Sequence, residues 1–135
     1  MATIKLEIVT PEAKTFSDDV EMVTLTGMDG QMGILPLHMP LMTQLASGEI
    51  VVRQNGKNIL LAVGDGFVQV TGDRVAVLTD MAIRAENIDE AKAEEARQRA
   101  EARLAEKLTE EESATVQAAL AHAMTQIKVK QRHHR

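Results

Sequence analysis

Glycine and proline stop early in this chain. All eight glycines lie at or before Gly72 and all three prolines at or before Pro40; from residue 73 onward there is neither. These two residues punctuate strands and turns, and a long stretch free of both can run helical. Alanine shifts the opposite way, with five in residues 1–80 and thirteen between Ala82 and Ala123. The composition therefore divides the chain near Ala85–Asn87. Residues 1–85 are expected to be β and residues 86–135 a pair of helices.

The first part reads as many short strands. Ile4, Leu6 and Ile8 alternate with Lys5 and Glu7, the period-two pattern of a half-buried strand. Further apolar runs cover Val20–Leu25, Ile34–Leu35, Leu41–Leu45, Ile50–Arg53, Asn58–Val63, Phe67–Val70 and Arg74–Leu78. Asn55-Gly56 between two such runs is a strong hairpin signal, because a type I′ turn needs positive φ at both central residues. Thr71-Gly72-Asp73 marks another turn. Short strands at this spacing imply an antiparallel β-sandwich or flattened barrel. Phe occurs twice, and Trp and Tyr are absent. The core is thus expected to be built from Val, Ile, Leu and Met.

The second part reads as an antiparallel helical hairpin. Asn87-Ile88-Asp89-Glu90 has the form of a capping box that opens a helix running to about Leu108, and Thr109-Glu110-Glu111-Glu112 is a second box that opens a helix to about Lys130. A connection this short forces the helices antiparallel. Their apolar faces are thin. The first offers Ile88, Ala93, Ala96, Ala100, Leu104 and Leu108; the second offers Val116, Leu120, Ala123 and Ile127, with Met124 beside them. An alanine methyl contributes at most about 1 kcal/mol on burial, against ~2–3 kcal/mol for Leu. A hairpin with such faces is expected to dock reversibly.

The formal net charge of −5 is unevenly spread. Residues 113–135 contain four Lys/Arg and no acid, a segment of net +4, whereas residues 86–112 carry net −5. Lys128, Lys130 and Arg132 suit the negative end of the helix dipole, and a basic helix without acids is also attracted to an acidic partner surface. Both readings stand on sequence alone.

Several functions are disfavoured. No Cys occurs, so there is no disulfide framework, thiolate nucleophile or Cys-ligated zinc. Without Trp or Tyr there is no platform for base stacking, and the negative charge gives no general attraction to nucleic acid. No apolar run approaches the ~20 residues that span a bilayer, and no signal-like segment opens the chain, so a soluble, cytoplasmic protein is expected. Candidate chemistry is sparse. His38 is a lone loop histidine, and His133 and His134 form no metal-ligand set. Gly27, Gly30 and Gly33 precede no helix, as a phosphate-binding loop would require. Lys92 and Arg99, seven residues apart, share a helix face that could clamp a phosphate, or could simply pair with neighbouring Glu.

The stretch Gly30-Gln31-Met32-Gly33-Ile34-Leu35-Pro36-Leu37-His38-Met39-Pro40-Leu41 resembles the signature loop of the epsilon subunit of F-type ATP synthase, Gly-x-x-Gly-x-x-Pro-x-His-x-Pro-Leu. Gly64-Asp65-Gly66-Phe67-Val68-Gln69-Val70 resembles that family's Gly-Gly-Phe-x-x-Val stretch, and Thr79-Asp80-Met81-Ala82 leads into the first helix as it does there. The resemblance covers essentially the whole chain.

That resemblance implies a non-catalytic subunit of the rotating central stalk. It implies partners in the gamma subunit and the membrane ring of c subunits, and a peripheral position at the cytoplasmic face of the inner membrane. Gly30, Gln31, Met32, Gly33, Pro36, His38 and Pro40 would form the loop facing the ring. Many members carry an acid where Gln31 stands here. The hairpin would switch between a compact state and one extended into the catalytic head, where the basic helix, including Lys128, Lys130 and Arg132, meets acidic residues and blocks ATP hydrolysis. Some members bind ATP on the compact hairpin through Ile/Leu-Asp-x-x-Arg-Ala. Ile88, Asp89, Lys92 and Ala93 occupy that motif here, with Arg99 beyond it. Lys92 replaces an Arg, and His122 and Gln126 stand where ATP-binding members have two more. Lysine is no planar clamp, so ATP is expected to be a weak regulatory ligand at most, and no cofactor is expected. A stand-alone adaptor binding an acidic protein is the alternative reading.

Overall fold

The computed structural model describes residues 2–37 and 39–133. Ten strands come first: β1 (Ile4–Val9), β2 (Lys14–Val20), β3 (Met22–Gly27), β4 (Gly30–Ile34), β5 (Leu41–Leu45), β6 (Gly48–Gln54), β7 (Lys57–Val63), β8 (Gly66–Thr71), β9 (Arg74–Thr79) and β10 (Ala82–Arg84). A 3-10 turn at Ala85–Asn87 leads into α1 (Glu90–Leu104) and α2 (Glu110–His133). The fold is the expected β-sandwich followed by a helical hairpin.

The strands form one hydrogen-bonded sheet in the order β10-β7-β6-β3-β5-β8-β9-β1-β2, with β4 paired to β3. Pairing is antiparallel except between β1 and β9. The sheet folds over on itself: the Gln54 side chain at the end of β6 donates to the Asp19 carbonyl of β2, at 3.0 Å. Inward positions carry Ile4, Leu6 and Ile8 from β1, Val23 and Leu25 from β3, and Val75 and Val77 from β9, all buried. Alternation places these side chains on one face of each strand. Phe16 is the one buried aromatic; Phe67 points outward. Methionine does not fill the core as expected. Met32 packs at its edge, while Met28, Met39 and Met42 are exposed.

Turn chemistry follows the sequence. Asn55 and Gly56 have φ of 52° and 74°, joining β6 to β7 in register. The run at Val20–Leu25 is not one strand. The chain bends at Glu21, whose amide donates to the Arg53 carbonyl at 2.8 Å, so Val20 ends β2 and Met22 starts β3.

The first helix starts later and ends earlier than expected. Its cap is Asp89, whose carboxylate accepts from the Lys92 amide at 3.1 Å; Asn87 lies in the 3-10 turn. Ile88 explains the shift. Its extended backbone (φ −75°, ψ 126°) lets the side chain be buried with Ala62, Ala85 and Val129, which delays the helix by two residues. At the other end the Ala105 and Glu106 amides bond three residues back, closing α1 before Leu108. The second capping box forms as expected. Thr109 Oγ1 accepts from the Glu112 amide (3.1 Å), and Glu112 Oε1 accepts from the Thr109 amide (3.3 Å).

The hairpin lies compactly against the sandwich, with α2 packed on β6, β7 and the 3-10 turn as well as on α1. At about 100° per residue, two stripes on α2 fall on opposite sides. Val116, Leu120, Ala123 and Ile127 form the apolar stripe. His122, Thr125, Val129 and Arg132 form the second, and each of these touches the sandwich or the turn that follows it.

Candidate interaction surfaces

Three surfaces carry the residues of interest. The first is the β4–β5 region. Gly30 has φ of 117°, a conformation that disfavours any side chain and closes the tight β3–β4 hairpin. Gln31 is exposed and Met32 half-buried. A Cβ on Gly33 would lie 2.6 Å from the Met22 side chain, so the strand surface is close-packed there. Beyond Ile34, Pro36 is half-buried, whereas Leu37, Met39 and Pro40 are exposed, and Leu37 adopts a positive φ of 66°. His38 lies outside the described residues. The loop thus presents apolar side chains to solvent, with Leu37 at 88% exposure.

The second surface lies on the outer side of β5, β8 and β9. Phe67 is paired across the sheet with Leu78 on one side and Gln44 on the other. Phe67 and Leu78 are each more than half exposed, and Met42 is exposed on the adjoining strand. Sequence reasoning did not single these out, although a signal was present: their neighbours Val68 and Val77 take the inward phase, leaving large apolar residues in the outward phase. Single exposed apolar residues are ordinary, but a contiguous set marks an interaction surface.

The third surface is the hairpin. The residues considered for ATP are differently disposed. Ile88 and Ala93 are buried, and Asp89 caps α1 through the Lys92 amide. Lys92 and Arg99 are exposed. His122 Nε2 lies 3.2 Å from Asp80 Oδ2, on the loop between β9 and β10. The three basic residues near the end of α2 also differ. Lys128 is exposed along a cleft of about 220 Å³ lined by Ser47, Glu49, Thr125 and Arg132. Lys130 Nζ donates to the Ala85 carbonyl at 3.0 Å. Arg132 pairs with Glu49 at 3.1 Å. Asp80 and Glu49 were not foreseen as partners, because nothing local in the sequence links them to α2.

Electrostatics elsewhere are those of solvated faces. Hydrogen bonds from Thr109 hold the Glu112 carboxyl below its ordinary range, and Arg97 does the same for Glu94. Among the described residues no group of three or more potential ligands could hold a metal ion. The surfaces are suited to docking, and among the described residues no set of nucleophile, base and stabilising donors converges in any of them.

Known proteins share this design. Residues 3–85 match the family model "ATP synthase, Delta/Epsilon chain, beta-sandwich domain", and residues 86–131 match "ATP synthase, Delta/Epsilon chain, long alpha-helix domain". A protein named ATP synthase epsilon chain from Dehalococcoides mccartyi is 46% identical over 96% of this chain and 93% of its own length. One of the same name from Chloroflexus aggregans is 46% identical over 96% and 94%. Among solved structures, a chain of the Euglena gracilis mitochondrial ATP synthase, in a complex described as OSCP/F1/c-ring, superposes with a TM-score of 0.73 at 26% identity, covering 93% of this chain and 79% of that one. A chain of the Tetrahymena thermophila central stalk and c-ring shares the fold, at a TM-score of 0.57 and 11% identity. This chain therefore belongs to the ATP synthase delta/epsilon family, as an epsilon chain: a non-catalytic subunit.

Proposed function

We propose that residues 1–85 attach this subunit to the gamma subunit and the ring of c subunits, and that residues 86–135 form an arm that restrains ATP hydrolysis. The subunit then sits peripherally at the cytoplasmic face of the membrane and turns with the stalk during ATP synthesis. Attachment through protein rather than lipid accords with a chain in which no helix among the described residues is long and apolar enough to cross a membrane. The observation that carries the attachment reading is the exposed Phe67–Leu78 pair with Met42 beside it, together with the apolar Leu35, Leu37 and Met39 of the adjoining loop. Gly30, Gln31, Met32, Gly33, Pro36, His38 and Pro40 belong to that loop region and are assigned to the ring-facing contact.

The regulatory reading rests on how the hairpin is held. Its contact with the sandwich buries one apolar side chain of α2, Val129, and otherwise uses polar groups. Surface ion pairs contribute about 0–1 kcal/mol each, so the compact state is separated from a released one by a small free energy. Lys130 and Arg132 are engaged by the sandwich while the hairpin is docked, and release frees them, together with Lys128, for acidic residues of the catalytic head. ATP is assigned at most a weak role on Ile88, Asp89, Lys92, Ala93 and Arg99, since Asp89 already serves as a helix cap. The test is ATP hydrolysis by the reconstituted complex with the full chain and with a chain ending at Ala85. Faster hydrolysis on truncation is expected; an unchanged rate refutes the inhibitory role.

A further inference from the structure

Glu49 is the second residue of β6, paired directly with Ala62 of β7, which in turn pairs with Ile83 of β10. Residues opposite one another in a ladder share a face, and this face lies under α2. Ala62 belongs to the same buried cluster as Val129. Docking therefore places a carboxylate among apolar neighbours. The Glu49 side chain keeps only 13% of its exposure. Its Oε1 meets Arg132, but its Oε2 is fully buried and has no hydrogen-bond partner among the described residues. The nearby hydroxyls are engaged elsewhere: Ser47 Oγ donates to the Val63 carbonyl or shares its hydrogen with Thr125 Oγ1.

This arrangement is unbalanced. A buried carboxylate oxygen without a donor carries an uncompensated desolvation penalty. Arg132, the cation paired with it among the described residues, is 65% exposed, so its attraction is weakened by solvent. Undocking would restore water to both oxygens. We infer that Glu49 is a release element: it opposes docking of the α2 terminus, and Arg132 makes docking possible by partly neutralising it. An acidic surface that captures Arg132 then leaves Glu49 stranded, and the helix end is expelled. The inference rests on the two-state reading of the hairpin given above.

It has a consequence of opposite sign to that of an ordinary stabilising ion pair. Replacing a buried pair by apolar groups of similar size is often neutral or stabilising, whereas removing one partner strands the other. The full chain has no Cys, so labels at Asp73→Cys and Ala118→Cys report the distance between sandwich and α2. Glu49→Met is expected to raise the docked-to-released ratio about tenfold, and Arg132→Met to lower it about tenfold. The double variant is expected to be docked at least as fully as the parent. A lower docked ratio in Glu49→Met overturns the inference while leaving the two-state reading intact. A single docked distance in the parent and in Arg132→Met alike overturns both.

Discussion

His122 Nε2 and Asp80 Oδ2 meet 3.2 Å apart across the backbone of Gly64. The contact joins the middle of α2 to the loop between β9 and β10, and it depends on the missing side chain at Gly64. A Cβ there would lie 1.9 Å from Asp80 Oδ1 and 3.0 Å from His122 Nε2. The loop beneath is independently fixed, since Thr79 Oγ1 donates within reach of the Gly64 and Asp65 carbonyls, at 2.9 and 3.0 Å.

Gly64→Ala is therefore expected to displace the Asp80 carboxylate and break its contact with His122 while leaving the sandwich folded. Asp80 is half exposed, so the loss is about 1 kcal/mol or less. Asp80→Asn should weaken docking similarly, and the two changes together should cost no more than either alone, because they remove one interaction. The docked fraction of label pairs on sandwich and α2 reports this. Fully additive losses would show that the two positions act separately.

The Thr109–Glu112 capping box supports the start of α2. Thr109→Ala should cost about 1 kcal/mol of helix stability. The Glu112 carboxyl is held below its ordinary value by the hydrogen bonds from Thr109. A carboxyl lowered in the folded state stabilises above its unfolded pKa, near ~4.3 for Glu, and that contribution is lost as pH falls through the lowered folded value. The protection factors of the Ser113 and Ala114 amides, relative to their intrinsic exchange rates at each pH, should therefore fall below about pH 4. Glu112→Gln should remove that acid dependence at the same amides; its persistence would assign the effect to another carboxyl.

Local signals in the sequence were legible and long-range ones were not. Asn55-Gly56 and Thr109–Glu112 each act within four residues, so their turn and cap could be read directly and both form. The strand β2 was missed because only Phe16 and Val20 of its seven residues point inward, and Asp18 and Asp19 hide the period at this edge of the sheet. Acids suit an edge strand, which must resist pairing with other chains. The cap of α1 was misplaced because burial of Ile88 against Ala62 and Val129 is a tertiary event. The docking stripe of α2 was illegible for the same reason: Val129 stands between Lys128 and Lys130, and Glu49 is far from Arg132 in sequence. Family resemblance, by contrast, lay in contiguous motifs and needed no tertiary contact.

Val129 is the apolar anchor of the docked helix, 2% exposed and packed with Ala62, Ala85 and Ile88. Val129→Ala deletes buried methyl groups and should weaken docking by about 2 kcal/mol. The main unfolding transition of the sandwich should barely move, because its core is a separate cluster. If release frees the inhibitory helix, the variant complex should hydrolyse ATP more slowly than the parent complex. A normal hydrolysis rate with demonstrably undocked hairpins would separate docking from inhibition.

The Phe67–Leu78 pair offers the most direct test of attachment. Both side chains lie on the outer face of β8 and β9 and are 54% and 55% exposed, so replacing them leaves the interior packing of Val68 and Val77 untouched. Phe67→Lys with Leu78→Lys removes a cross-strand pair and sets like charges opposite each other, so it should destabilise the isolated subunit by about 1 kcal/mol, well short of unfolding it. Two charges at the centre of an apolar contact would each lose hydration without gaining a partner. The double variant should therefore fail to sediment with the gamma subunit, while the isolated chain keeps its thermal transition. Wild-type binding by this variant would place the gamma contact elsewhere, with the loop around Gln31 and Leu37 the next surface to alter.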